Sequence, residues 1–312
     1  EFLPISSSGH LALGQKLFGA FDKTMLDFFD VSVHVGTLAA IALVFYRQVG
    51  EFIVGCFGIV GWAARLGRGG RFVDDARRRL AGLVILATIP TVTIALVFKA
   101  DLFEDKHAPP PTQEAQQDEG LVTGTGPAIG EAPAAEPAKT DLYNVVKDNL
   151  PLIAAGLTFT GIWLVVTTRR AGGSRRIAEL TWIDMLILGA MQGLAVWPGI
   201  SRSGSTIGLL LFRGAERETA GRLAFIVAIP AIVGAFMLNT KDLVTSGVLE
   251  NPDIRASIGP VIVGGVFAFG TGLVALVWLL RVVQSGKLSY FAWYCWALAA
   301  VCMAIWGINT WG

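Results

Sequence analysis

Charge is what this chain has least of. Only 16% of its 312 residues are Asp, Glu, Lys or Arg, and 53% are hydrophobic. A water-soluble domain carries about a quarter charged residues. The shortage excludes a large globular protein with buried core helices, because too little polar side chain remains to cover its surface. Cysteine is equally scarce. Cys56, Cys295 and Cys302 lie in apolar surroundings without metal-ligand spacing and read as small hydrophobes. Histidine is limited to His10, His34 and His107. The net charge of +1 offers no broad basic face, and the arginine clusters described below are not read as nucleic-acid sites. No signal peptide precedes Glu1, which is not an initiator methionine; the sequence opens inside a motif, so an upstream segment is expected.

Long apolar runs are abundant instead. They lie near residues 31–45, 83–98, 152–168, 223–238, 258–280 and 291–308. A helix crossing the hydrocarbon layer needs about 20 such residues, and polar flanks complete slightly shorter runs. The charges between the runs are segregated by sign. Residues 62–79 carry Arg65, Arg68, Arg71, Arg77, Arg78 and Arg79 against Asp74 and Asp75, and residues 169–181 carry Arg169, Arg170, Arg175 and Arg176 against Glu179. Residues 100–148 hold ten acids and three lysines. The basic loops are therefore expected inside the cell and the acidic one outside. Within the latter, residues 104–141 are rich in Pro, Ala, Gly and acids, the composition of a disordered external loop.

An internal repeat organises the whole. A shift of 195 positions places Ile5-Ser6-Ser7-Ser8-Gly9 on Ile200-Ser201-Arg202-Ser203-Gly204, Gly19 on Gly214, and residues 28–45 on 223–240. It divides the chain into repeats at 1–168 and 169–312. Each repeat opens with a short apolar stretch interrupted by Pro, Gly and Ser and continues with three longer runs. If each interrupted stretch enters and leaves on one side, residues 47–79, 169–181, 213–221 and 281–288 are internal, and 19–25, 100–148 and 241–257 external. Every strongly charged loop then obeys the positive-inside rule. The expected fold is all-α and integral to the membrane, with six transmembrane helices, two re-entrant helical hairpins and inverted topology.

The two interruptions carry the chemistry. Unwound backbone survives at membrane depth only against protein or a water-filled cavity. Pro4 and Pro198-Gly199 end one helix, and Ser6, Ser7 and Ser8, or Ser201 and Ser203, are natural N-caps for the next. Two half-helix N-termini meeting near the pseudo-two-fold axis would present free N–H groups and partial positive charge to an anion. Arg202 adds a planar cation suited to bidentate phosphate binding. A guanidinium within the membrane costs about 2.5–3.5 kcal/mol, so it needs a reason to be there. Pairing with Glu1 to hold the hairpins together is the plain reason, but it leaves the surrounding serines and Thr206 unexplained. Glu1, Ser7 and His10 set the first break apart. The carboxylate can hold a divalent cation, the hydroxyl can attack phosphorus, and the imidazole can move a proton. His34, within VSVHVGTL, reads as a structural hydrogen-bonding residue.

EFLPISSSGHL at 1–11 and PGISRSGST at 198–206 resemble the two signature motifs of the undecaprenyl-diphosphate phosphatase, or bacitracin-resistance, family. The pattern Arg217-Glu218…Arg222-Leu223-Ala224-Phe225…Ile229-Pro230…Gly234-Ala235 is similar to a third, and the likeness covers nearly the whole chain apart from 104–141. It implies a multi-pass protein of the bacterial plasma (inner) membrane, with its active site open to the external or periplasmic side. It also implies metal-dependent hydrolysis of undecaprenyl diphosphate to the monophosphate, which recycles the lipid carrier of cell-wall synthesis and confers bacitracin resistance. Carried over by position, the catalytic residues are Glu1, Ser7, His10 and Arg202. Ser6, Ser8, Ser201, Ser203 and Thr206 bind substrate, and Glu1 holds Mg2+ or Ca2+. Lipids surround the protein, and a homodimer is admitted. The family pattern has a second acid four residues before Glu1, ahead of the first residue here; its repeat equivalent is Gln192.

Type-2 phosphatidic acid phosphatases also use Ser-Gly-His and Ser-Arg elements, but their mechanism needs a histidine after Ser-Arg, and no histidine follows His107. The rival reading is a polyprenyl-phosphate transporter or flippase, since alternating-access carriers use inverted repeats with broken helices. A non-catalytic scaffold would leave the buried arginine and serines without a purpose.

Overall fold

A computed structural model describes residues 1–18, 23–64, 75–99, 149–170, 173–245 and 252–311. The 104–141 loop and residues 65–74 lie outside the described residues. Among those described there is no strand, only an isolated bridge between Arg175 and Ala215. The helices are α1 (Ser7–Phe18), α2 (Lys23–Val44), α3 (Tyr46–Ala64), α4 (Ala76–Lys99), α5 (Leu150–Arg170), α6 (Trp182–Leu194), α7 (Arg202–Phe212), α8 (Arg217–Thr245), α9 (Pro252–Gln284) and α10 (Tyr290–Trp311).

Five segments are long and apolar enough to cross a membrane: Ala76–Phe98, Leu150–Arg170, Arg217–Leu238, Val261–Gln284 and Tyr290–Ile308. A sixth is reached if residues 32–44 and 46–64 count as one bent span. This corrects one expectation, because the segment read as an internal loop from residue 47 begins with the 19-residue helix α3. The chain bends by 92° between α2 and α3. Arg47, Gln48 and Glu51 cannot follow α2 straight through hydrocarbon, whereas Ile53, Val54, Phe57 and Val60 remain exposed on α3. A helix with that division of faces suits the plane of a bilayer surface. Elsewhere the exposed side chains are just as apolar: Val274 is 72% exposed and Trp293 70%. In water such faces would drive aggregation; against acyl chains they incur no penalty.

The interior is made by α2 packed on α9, α5 on α10, and α4 on α6, with α8 touching α2, α4, α7 and α9. Ile41, Leu164, Met185, Leu188, Ile207, Leu210, Leu223 and Ile226 are buried in one continuous core. Of the short pair α6 and α7, α7 is buried along nearly its whole length, while α6 buries one face and exposes Trp182, Ile183, Ile187 and Leu194 on the other. With 13 and 11 residues they are about 20 and 16 Å long at 1.5 Å per residue, well short of the roughly 30 Å hydrocarbon layer.

The two ends of this pair are tied together. Arg175 N–H donates to Gly214 O at 3.1 Å, and Glu216 N–H donates to Arg175 O at 2.9 Å. Below them the buried Asp184 carboxylate accepts from Arg213 Nε (2.6 Å), Arg175 Nη2 (2.9 Å), Thr181 N (2.8 Å) and Thr181 Oγ1 (2.9 Å). Thr181 and Asp184 also form the capping box that starts α6. The chain thus leaves this excursion beside the point where it entered. Replacing Asp184 with Ala should destabilise the folded protein by about 3 kcal/mol, the low end for breaking a buried ion pair because both arginines are partly exposed. Thermal unfolding in detergent, beside the wild type, measures this.

Candidate active site

Both helix breaks are built alike. At the second, Gly199 takes a φ of +96°, which an L side chain rarely adopts, and turns the chain into Ser201. Ser201 Oγ accepts from Gly204 N at 3.2 Å and lies 3.3 Å from Ser203 Oγ. At the first, Ser6 Oγ accepts from Gly9 N at 3.3 Å and lies 3.2 Å from Ser8 Oγ. These four contacts correspond pairwise under the 195-residue shift. They differ in one respect: Ser201 is extended, and Ser6 has a φ of 61°. The caps satisfy Gly9 and Gly204, so the N–H groups of Ser7, Ser8, Arg202 and Ser203 have no intrahelical partner.

The two tips touch, and they do so reciprocally. Gly204 faces Pro4, where a Cβ would stand 3.0 Å from the proline Cβ, and Gly9 faces Gly199 at 3.6 Å. The shift carries Pro4 to Gly199 and Gly9 to Gly204, so each partner in one contact maps onto a partner in the other. That is what a two-fold relation between the repeats requires. The second tip rests on α5. Thr160 Oγ1 donates to Gly199 O (3.1 Å) and accepts from Ser201 N (3.0 Å). Gly156, one turn earlier, leaves room for the tip backbone, since a Cβ there would meet Pro198 O at 2.7 Å.

Glu1 and Arg202 join the repeats. Arg202 Nη2 donates to Glu1 Oε1 at 2.7 Å, with the side chains 33% and 11% exposed. Thr37 Oγ1 donates to the other carboxylate oxygen at 2.6 Å, and His34 Nε2 lies 3.4 Å from Oε1. Phe2, buried edge-on against Phe225 at 5.7 Å, anchors the chain beside Glu1. Glu1, Arg202, Ser203 and Thr206 line one small cavity with Phe2 and Phe225. Its volume of 20 Å³ is about that of a single water. His34 therefore stands beside the carboxylate, and Thr37 is a neighbour that motif reading missed. Their spacing of three on α2 was the available signal.

The remaining expected residues divide. Ser6, Ser201, Ser203 and Thr206 are buried at the tips. Thr206 Oγ1 donates to Arg202 O at 2.9 Å, so its hydroxyl serves the helix backbone. Ser7 is exposed at the start of α1. His10 does not hydrogen-bond to it: Nδ1 lies 2.8 Å from Ser6 O, and Nε2 lies 2.7 Å from Tyr294 Oη. Gln192, the repeat equivalent of the missing acid, is buried with Nε2 3.4 Å from Thr91 Oγ1 and from Val227 O. Among the described residues no three His, Cys, Asp or Glu side chains cluster as metal ligands. The donor set is one carboxylate with a hydroxyl and an imidazole beside it. It fits a hard cation that takes most of its oxygens from a phosphorylated ligand.

Residues 1–301 match the family model described as bacitracin resistance protein BacA. The chain is 33% identical to an undecaprenyl-diphosphatase of Desulforapulum autotrophicum over 303 residues, covering 96% of this chain and 91% of that protein. It is 36% identical to one from Desulfatibacillum aliphaticivorans with the same coverage. It is also 36% identical to one from Desulfosudis oleivorans over 312 residues, covering 98% and 93%.

The seat of the second tip can be tested alone. Thr160→Val keeps the shape but leaves the buried Ser201 N–H unpaired. It should lower stability by about 1–3 kcal/mol, while Thr160→Ser should restore most of it. Thermal unfolding of both variants in detergent is the measurement, and equal stability of Val and wild type would contradict the role.

Proposed function

The chain belongs to the bacitracin resistance protein BacA family, and from that membership and the joined helix breaks we propose that it hydrolyses undecaprenyl diphosphate to undecaprenyl phosphate and inorganic phosphate. It is a multi-pass membrane enzyme, and its reaction returns the lipid carrier to cell-wall synthesis. The observation that carries this reading is the Glu1–Arg202 contact where two half-helix N-termini meet. A guanidinium, unpaired backbone N–H groups and a carboxylate in one buried place are what a metal-bridged diphosphate asks of a protein.

In this reading each repeat, 1–168 and 169–312, contributes one re-entrant hairpin and three crossings. The bent pair α2–α3 supplies the sixth span, with α3 lying at the inner surface. The site opens to the outer side of the bacterial inner membrane, opposite the arginine-rich loops, and lipid chains cover the exposed faces of α9 and α10. Arg202 binds the terminal phosphate through its planar fork, while the N–H groups of Ser7, Ser8 and Ser203 neutralise the other oxygens. Glu1 would hold a divalent cation, Mg2+ or Ca2+, which lends positive charge to the diphosphate when bound. Ser7 Oγ attacks the terminal phosphorus, and the bond to the bridging oxygen breaks to release undecaprenyl phosphate. Ser7 sits at the first position of α1, where the helix dipole lowers the cost of ionising its hydroxyl. His10, one turn on, takes the proton after its side chain turns from its resting contacts. Water then cleaves the phosphoserine to give phosphate.

The reciprocal packing of the tips also suits a lipid-phosphate transporter, which needs the anion site but neither nucleophile nor cation. Phosphate release separates the two. The full-length protein in detergent should liberate inorganic phosphate from undecaprenyl or farnesyl diphosphate. Chelator should abolish the release, and Glu1→Gln should lower it by at least about 100-fold, the scale of losing one transition-state charge contact. Lipid movement in vesicles without hydrolysis would favour the carrier.

The nucleophile has its own test. Ser7→Ala should nearly abolish turnover, and the wild type should show a first-turnover burst of undecaprenyl phosphate ahead of inorganic phosphate. If water attacks directly, Ser7→Ala costs only one hydrogen bond to a charged oxygen, about 1.5–3 kcal/mol. A variant keeping a tenth of its rate, with no burst in the wild type, would overturn Ser7.

A further inference from the structure

The first helix break is held by three consecutive residues of α10, at the far end of the other repeat. Trp296 fixes the helix register, its indole N–H pointing to Thr158 O at 3.4 Å, with Gly161 leaving room for the ring. Cys295 Sγ–H donates to Pro4 O at 3.4 Å. Tyr294, 46% exposed, sets its hydroxyl 2.7 Å from His10 Nε2, and the two rings lie nearly parallel at 9°.

These contacts decide where the imidazole carries its hydrogen. Ser6 O, 2.8 Å from Nδ1, is a carbonyl and can only accept, so Nδ1 bears the hydrogen. In a neutral ring Nε2 is then the lone-pair nitrogen, and the Tyr294 hydroxyl donates to it. The hydrogen bond at one ring nitrogen sets the state of the other.

We propose that Tyr294 is a positioning residue that, with Ser6 O, holds the His10 ring in one orientation and in the Nδ1–H tautomer, with Nε2 facing the Tyr294 hydroxyl. The proposal rests on the phosphatase reading for its kinetic consequence only. Nε2 is the atom that can accept the Ser7 proton once the ring turns from these contacts, and the ring leaves them with its hydrogen already on Nδ1. Ser6 O alone is a weaker hold, because it touches one nitrogen and leaves the ring free to swing about that bond, while the Tyr294 hydroxyl fixes the other end.

Histidine scarcity makes the test direct. The chain contains three histidines, so a 15N-histidine spectrum of the full-length protein in detergent is sparse, and His10→Gln identifies the His10 imidazole. In its neutral form the wild-type His10 should carry its hydrogen on Nδ1. Tyr294→Phe, which keeps the ring and loses the donor, should bring up the Nε2–H form. The same variant should lose about 10–100-fold in kcat, the usual cost of removing a supporting partner, with KM changed less than about twofold because Tyr294 acts through His10. A neutral His10 found as Nε2–H in the wild type would overturn the proposal. An unchanged tautomer or an unchanged kcat in Tyr294→Phe would do the same. A wild type that releases no phosphate at all would sink the phosphatase reading, and the spectrum would still decide the role of Tyr294.

Discussion

Glu1 and Arg202 are 201 positions apart in the chain and 2.7 Å apart in space, and the rest of the structure is arranged around that contact. Each ion would be expensive alone at this depth, and each makes the other tolerable. Thr37 and His34 crowd the carboxylate from α2, Phe2 pins the backbone beside it, and Thr160 seats the turn from which the arginine springs. In the proposed reading a phosphate would take over the guanidinium and a cation the carboxylate, so that binding would exchange one set of compensated charges for another.

In that reading a diphosphate headgroup exceeds the 20 Å³ cavity beside the pair, so its entry would displace the Glu1–Arg202 contact. Between the tips that contact is joined by packing of Pro4, Gly9, Gly199 and Gly204. At the other end of α6 and α7, Asp184 is held by two arginines and a capping threonine. One charge pair thus closes the tips, and a second cluster closes the base.

Serine serves two ends here. Ser6 and Ser201 close the half-helices by accepting from Gly9 and Gly204, which lets unwound chain exist inside protein at membrane depth. Ser7 is spared that duty and remains exposed. The same short motif thus supplies structural hydroxyls and a free one, and the backbone at Ser6, with its φ of 61°, separates the two. In the second repeat the position of Ser7 is taken by Arg202. At equivalent places the first repeat presents a hydroxyl and the second a guanidinium.

Hydropathy by itself determined that the chain is helical and membrane-bound, because burying apolar runs in lipid is an additive property of local composition. The 195-residue repeat likewise marked Ser6, Ser201 and the two breaks, since N-caps are local chemistry. The helix α3 was not legible: residues 46–64 mix Arg47 and Glu51 with Phe57 and Val60, and whether such a stretch loops, crosses or lies flat depends on the 92° bend before it and on α4 beneath it. His34 read as a structural hydrogen-bonding residue, and its neighbour Glu1 was not legible. Asp184 between Arg175 and Arg213, and Tyr294 on His10, were beyond any local pattern. Those partners lie up to 284 positions apart. Contacts of that kind are decided by the register in which whole helices pack, which depends on every side chain along both faces at once.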